Sequence, residues 1–229
     1  EIKPTKKRET IYIKIKTDGP LEVPIKIYKT QYFSDYKSSL NYGMGLYFGC
    51  LLAMVLYNLI LFLSTKQINY LYYVLFLFSF TFFLSTLEGY SFKFLFKNYP
   101  WFNNNGLALS INTSALFFLI FGKNYLSITE KDFPKLNRVF GLLIKGFILG
   151  FILSFILSYS IVLRFSFIIV IIGLSILIFA GYHRFKKGYK PAKYFLFAFS
   201  LFILGTSLRL LSALNILSAN PIYKYSFHI

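Results

Sequence analysis

Six long apolar runs separated by short polar stretches restrict this chain's fold more than any other feature. They cover residues 42–63, 70–87, 106–121, 139–157, 161–182 and 194–217. A bilayer's hydrocarbon core is about 30 Å thick and takes about 20 helical residues to cross, within a range of about 17–25. Most of the runs meet that length, and the short third run can extend into its flanks. In lipid every backbone N–H and C=O must be satisfied within its own segment, so such runs form helices. Transmembrane strands would read as short alternating segments, whereas these runs are continuously apolar. The sequence therefore predicts an all-α polytopic membrane helix bundle with six complete helices.

Composition agrees. The chain is 56% hydrophobic and 14% charged, with 29 Phe and 19 Tyr, an aromatic load suited to lipid contact and interfacial belts. The net charge of +17 could suggest nucleic acid. The bases, however, sit between the apolar runs and in the N-terminal segment, not along one helix face, so they read as topology signals. Ten fall in the loops after the first, third and fifth runs: Lys66; Lys123, Lys131, Lys135, Arg138; Arg184, Lys186, Lys187, Lys190, Lys193. Four fall on the other side: Lys93, Lys97, Arg164 and Lys224. The positive-inside bias makes the ten cytoplasmic and places the N-terminus outside.

Residues 1–38 follow another pattern. After a basic start, Ile11, Ile13 and Ile15 alternate with Tyr12, Lys14 and Lys16. Asp18-Gly19-Pro20 is turn chemistry, and Val23, Ile25 and Ile27 alternate again. This predicts a β-hairpin. Two strands alone are marginal in water, so the expectation is that they end an outer β domain whose earlier part precedes Glu1. At the other end, residues 221–229 are expected to begin a truncated seventh helix. The domains expected are 1–38, the last strands of a β domain, and 39–229, the helical module.

Few residues invite chemistry. Cys50 is the single cysteine, and His183 and His228 lie far apart, so neither a disulfide framework nor ligand spacing for a metal is present. No cofactor is expected. Glu88 at the end of the second run and Arg209 in the sixth share a depth; they form either an ion pair or two interfacial side chains, with Arg209 snorkelling. Asn58 and Asn112 lie deep in the first and third runs, where polar side chains hydrogen-bond across helices or line a ligand or proton path. Asn112-Thr113-Ser114 matches a glycosylation sequon but sits inside a membrane run. Lys145 reads as a snorkelling base and Trp101 as an interfacial anchor, with sensing as its second reading. Gly45-xxx-Gly49 permits close helix approach, either within the bundle or in a homodimer. No Walker loop, HExxH motif, paired intramembrane carboxylates or Ser/His/Asp set is present, so neither an enzyme nor a proton-relay pump is expected. A small transporter is the alternative, though no internal repeat supports it.

The order of short motifs carries a resemblance. Tyr32-Phe33 leads into Tyr42-Gly43-Met44 and Leu56-Tyr57-Asn58-Leu59. Tyr70-Leu71-Tyr72-Tyr73, Leu87-Glu88-Gly89-Tyr90 and Tyr99-Pro100-Trp101 follow, then Gly188-Tyr189-Lys190-Pro191-Ala192-Lys193-Tyr194-Phe195. From about residue 11 to 229 the chain resembles the bacterial seven-transmembrane receptors with diverse intracellular signalling modules. The resemblance implies that residues 1–38 end an extracellular jelly-roll sensor for a carbohydrate-like or other small ligand. It also implies that a cytoplasmic kinase, cyclase or phosphatase follows the last helix. No catalytic residue of that family maps onto this chain.

Overall fold

The computed structural model describes residues 29–213, and all regular structure among them is α-helix. Its elements are α1 (Thr30–Thr65), α2 (Ile68–Leu87), α3 (Tyr90–Phe94), α4 (Pro100–Tyr125), α5 (Pro134–Leu153), α6 (Tyr159–Lys186) and α7 (Pro191–Ala213). Among the described residues five of these, α1, α2, α4, α5 and α6, are long and apolar enough to cross a membrane. In α7, Pro191–Phe202 is the apolar stretch among the described residues. The expected sixth crossing at 194–217 thus begins in α7 and ends outside the described residues. The expected strands around 11–16 and 23–28 and the start of a seventh helix also lie outside them.

The first helix begins earlier than its apolar run. Residues 30–38, which the sequence pattern groups with the β segment, are the opening turns of α1. Contacts between residues four apart account for this. Tyr32 stacks on Tyr36 with ring centroids 6.5 Å apart, and Lys37 lies 5.6 Å from the centre of the Phe33 ring. The short α3 is a second departure, in a connection that reads as loop from sequence.

Proline and left-handed residues punctuate the helices. Pro100, Pro134 and Pro191 open α4, α5 and α7, where the missing N–H has no intrahelical acceptor to lose. The turn between α6 and α7 is tight because Gly188 adopts φ +81°. The Gly188 and Tyr189 amides then donate back to the Phe185 and Arg184 carbonyls at 2.9 and 3.1 Å.

Helix α4 is the hub and packs on α2, α5 and α6, while α7 lies against α6 and α1 mainly against α2. Lipid tails are as apolar as Leu, so dispersion between interdigitating side chains and hydrogen bonds between helices hold the bundle, rather than water exclusion. The largest core cluster occupies the end at which α4 and α6 finish, with Leu119, Phe140, Phe147, Leu177 and Phe195 at its centre. A smaller one, Ala108, Ile111, Val162 and Leu163, joins α4 to α6 towards the opposite end. Phe76 ties α2 to α4 through Phe118, their ring centroids 4.8 Å apart.

Candidate functional site

Asn112 lies between those two core clusters and is fully buried. Its Nδ2 donates to the Ala108 carbonyl one turn back and to Ser166 Oγ on α6, both at 2.8 Å. Ser166 Oγ in turn donates to the Val162 carbonyl at 2.8 Å. The amide is thereby oriented by its own helix and pins α4 to α6. Its Oδ1 accepts no hydrogen bond and faces Gly150 on α5. A Cβ on Gly150 would lie 2.6 Å from that oxygen, so any larger residue there would force the amide to shift. Three helices therefore meet at one polar point deep in the bundle.

A second junction closes the end where α4 and α6 finish. Tyr189, just before α7, donates its hydroxyl to the Tyr125 carbonyl at 3.1 Å and accepts from Ser127 Oγ at 3.2 Å. The Arg184 guanidinium lies 4.4 Å from the Tyr189 ring centre and 5.2 Å from that of Phe133. Lys187 also sits over Phe133, at 4.4 Å. Cation–π contact and two hydrogen bonds thus dock the α4–α5 loop onto the α6–α7 turn. Ser127 takes φ +51° to reach its partner, a conformation a non-glycine residue adopts only when its surroundings hold it.

At the opposite end, a cavity of about 210 Å³ lies between the α2–α3 connection, Phe102 and Tyr159. It is smaller than the ~300 Å³ at which drug-sized ligand pockets begin. Ser91 Oγ donates to Thr86 Oγ1 at 3.1 Å on its wall. Burial raises the pKa of the neighbouring Tyr90 hydroxyl above the ordinary 10, and the negative charge of Glu88 adds to the shift.

The structure sorts the candidates from the sequence. Asn112 reaches across helices, whereas Asn58 Nδ2 donates to its own helix, to the Met54 carbonyl at 2.8 Å. Glu88 caps α2, half-buried, with its amide on the Leu84 carbonyl at 2.9 Å. Arg209 belongs to α7, but its side chain lies outside the described residues, and with it the Glu88–Arg209 pair. Trp101 opens α4 and stacks on Phe155 of the α5–α6 connection at 5.3 Å, with 45% of its surface exposed. A Cβ at Gly45 or Gly49 would meet nothing within 4 Å, so no described helix closes on that face. Gly150 and Ser166 do not stand out in the sequence, while Arg184 and Tyr189 read there as a topology base and a motif residue, not as partners in a junction. A serine or glycine within an apolar helix is too common to draw notice, and the partners lie 54 to 64 residues apart along the chain.

Apolar crossings, a polar pin between helices and docked loops at one end define a multi-pass membrane bundle held as a unit. The family model described as 7TM diverse intracellular signalling matches residues 40–229, and the chain belongs to that family, a class of membrane signalling receptors. No curated protein and no solved structure matches the chain.

Proposed function

We propose that this chain is the membrane module of a receptor that relays binding of a small ligand outside the cell to a cytoplasmic output domain. The observation that carries the reading is the family match across residues 40–229. The Lys and Arg distribution supports an inner-membrane orientation with the N-terminus outside, since the richer set of basic loops lies where α4, α6 and the Tyr189 junction end. In this reading the helices perform no chemistry. The ligand, with sugars as the first class to try, acts through a preceding sensor domain. It biases two packings of the bundle by no more than its differential affinity for them. The output is a kinase, cyclase or phosphatase beyond the last helix.

Two experiments test this. The first moves the single thiol: with Cys50→Ala as background, cysteines at Lys187 and at Tyr99 are probed on intact cells with a membrane-impermeant maleimide. Labelling at position 99 alone supports the orientation, and the reverse pattern inverts it. The second joins a cyclase reporter to the full-length protein after its last helix and titrates a panel of mono- and oligosaccharides. A saturable change in cyclic nucleotide supports the relay. A flat output together with accumulation of labelled sugar in proteoliposomes would instead make the protein a transporter.

A further inference from the structure

Lys145 presents a physical problem that the bundle's own contacts leave open. It stands 11 residues into α5, about 16 Å along the axis from Pro134 and so near mid-helix, and it is exposed on the outside of the bundle. No ion pair forms on it among the described residues. A cation at such depth is expensive in lipid unless it finds a counter-charge or an escape to the interface.

The residues before it supply a path. In a helix the Cα–Cβ bond tilts towards the N-terminus, so the Lys145 stem points back over the residue four positions earlier. That residue is Gly141, where a Cβ would meet nothing within 4 Å. Arg138 follows one turn further on, exposed, and Asn137 beside it. Together they line an open trough of about 280 Å³ that runs up to Pro134 and Glu130, with the exposed Leu142 along its edge. Two cations, one amide donor and one carboxylate at the mouth leave the trough net positive. Its floor is a glycine, and its side wall is open to lipid.

We propose that this trough is a binding site for an anionic phospholipid of the cytoplasmic leaflet, with its phosphate drawn between Arg138 and Lys145 and an acyl chain lying along Leu142. The trough's depth favours a lipid over free phosphate, because only a lipid brings its own apolar part to a cation below the interface. Gly141 is what separates this site from a diffuse basic surface: it makes room for the headgroup beside the Lys145 stem.

The leaflet rests on the orientation proposed above; the binding does not, and it is measured without any signalling readout. The protein is reconstituted in phosphatidylcholine nanodiscs, and spin-labelled phosphatidylglycerol is compared with spin-labelled phosphatidylcholine for association with the protein surface. Lys145→Met and Arg138→Gln should each lower the selectivity for phosphatidylglycerol roughly five-fold, the effect of one basic residue at an anionic surface. Gly141→Leu, which leaves every charge in place, should lower it as far. Lys186→Gln with Lys190→Gln, two bases outside the trough, should lower it clearly less than either trough variant. Gel filtration and a thermal melt confirm that each variant is folded. Full selectivity in Gly141→Leu overturns the site, as does an equal loss in the Lys186/Lys190 pair. Displacement of the labelled lipid by inorganic phosphate at equal concentration overturns the lipid assignment.

Discussion

Gly150→Ala tests whether Asn112 joins three helices, and the geometry sets the size of the effect. The new Cβ would lie 2.6 Å from Asn112 Oδ1 and 3.0 Å from its Cγ. Ordinary contact begins near 3.4 Å, so the amide must retreat by about 0.8 Å. It has nowhere to go, because it is fully buried and its Nδ2 is held by Ala108 and Ser166. Overpacking of this kind costs about 1–3 kcal/mol, and losing an interhelical hydrogen bond about 0.6 kcal/mol. Alanine is the better helix former by about 1 kcal/mol, which leaves a net destabilisation of about 0.6–2.6 kcal/mol. Asn112→Ala alone removes the bond and leaves a void, for about 1 kcal/mol. In the double variant the methyl added at position 150 enters the space the amide vacates. The helix-propensity gain cancels in the cycle, so the coupling should favour the double variant by about 2–4 kcal/mol. The assay is reversible unfolding of the purified protein in bicelles for wild type, both single variants and the pair. Additivity within about 0.5 kcal/mol would mean that Gly150 and Asn112 do not meet and that the junction is wrong.

Two further outcomes follow from the loop and cavity contacts. Tyr189→Phe removes the donor to the Tyr125 carbonyl and the acceptor for Ser127. At about 0.5–1.5 kcal/mol for each bond, it should speed protease nicking between α4 and α5 in inverted membrane vesicles several-fold; an unchanged rate would show that the junction does not hold the loop. Tyr90 has a folded-state pKa raised by burial and then by Glu88, so its neutral form is the one the fold favours. That contribution is intact below the ordinary tyrosine value near 10 and is lost as pH rises through the higher folded value. Alkaline difference spectra of wild type against Tyr90→Phe should therefore place the Tyr90 ionisation above 10, and an ionisation at or below 10 would contradict the burial.

The bundle is legible in the sequence because solvent dictates it: long apolar runs in lipid have one way to satisfy their backbones, and five of the runs are helices of crossing length. Boundaries are less so. The α1 start at Thr30 depends on stacked side chains four apart, a local signal weaker than the change in hydropathy at Tyr42. Within the site, Asn112 stands out because an amide is rare and costly at that depth. Asn58 stands out for the same reason, yet it bonds only to its own helix. A residue's type gives the polarity of a position but not the face it occupies or what crosses there, which is why Gly150 and Ser166, the complements of Asn112, carry no signal of their own. Nor does the sequence show that Gly141 opens a trough before Lys145, since the apolar run at 139–157 puts Lys145 in the first turns of its helix, whereas α5 begins five residues earlier, at Pro134.

Under the proposed relay, α1 is the element that must carry the signal through the membrane's outer face. It is one continuous helix of 36 residues, about 54 Å long. Its apolar part, residues 42–63, accounts for the ~30 Å of hydrocarbon. The 12 residues before Tyr42 extend it by about 18 Å on the outer side, with Asp35, Lys37 and Ser38 exposed. Since α1 packs mainly on α2, while α4, α5 and α6 are pinned at Asn112, a displacement of its outer end is taken up along the α1–α2 seam. Ser38→Pro breaks the rod without touching that seam. It removes one intrahelical donor and sets the ring against the carbonyl of Ser34, a helix-interior cost of about 3 kcal/mol. With the cyclase reporter attached, Ser38→Pro should insert normally and lose most of the response to an outside ligand, while Ser38→Ala keeps it. A wild-type response from Ser38→Pro would show that the signal does not enter through α1.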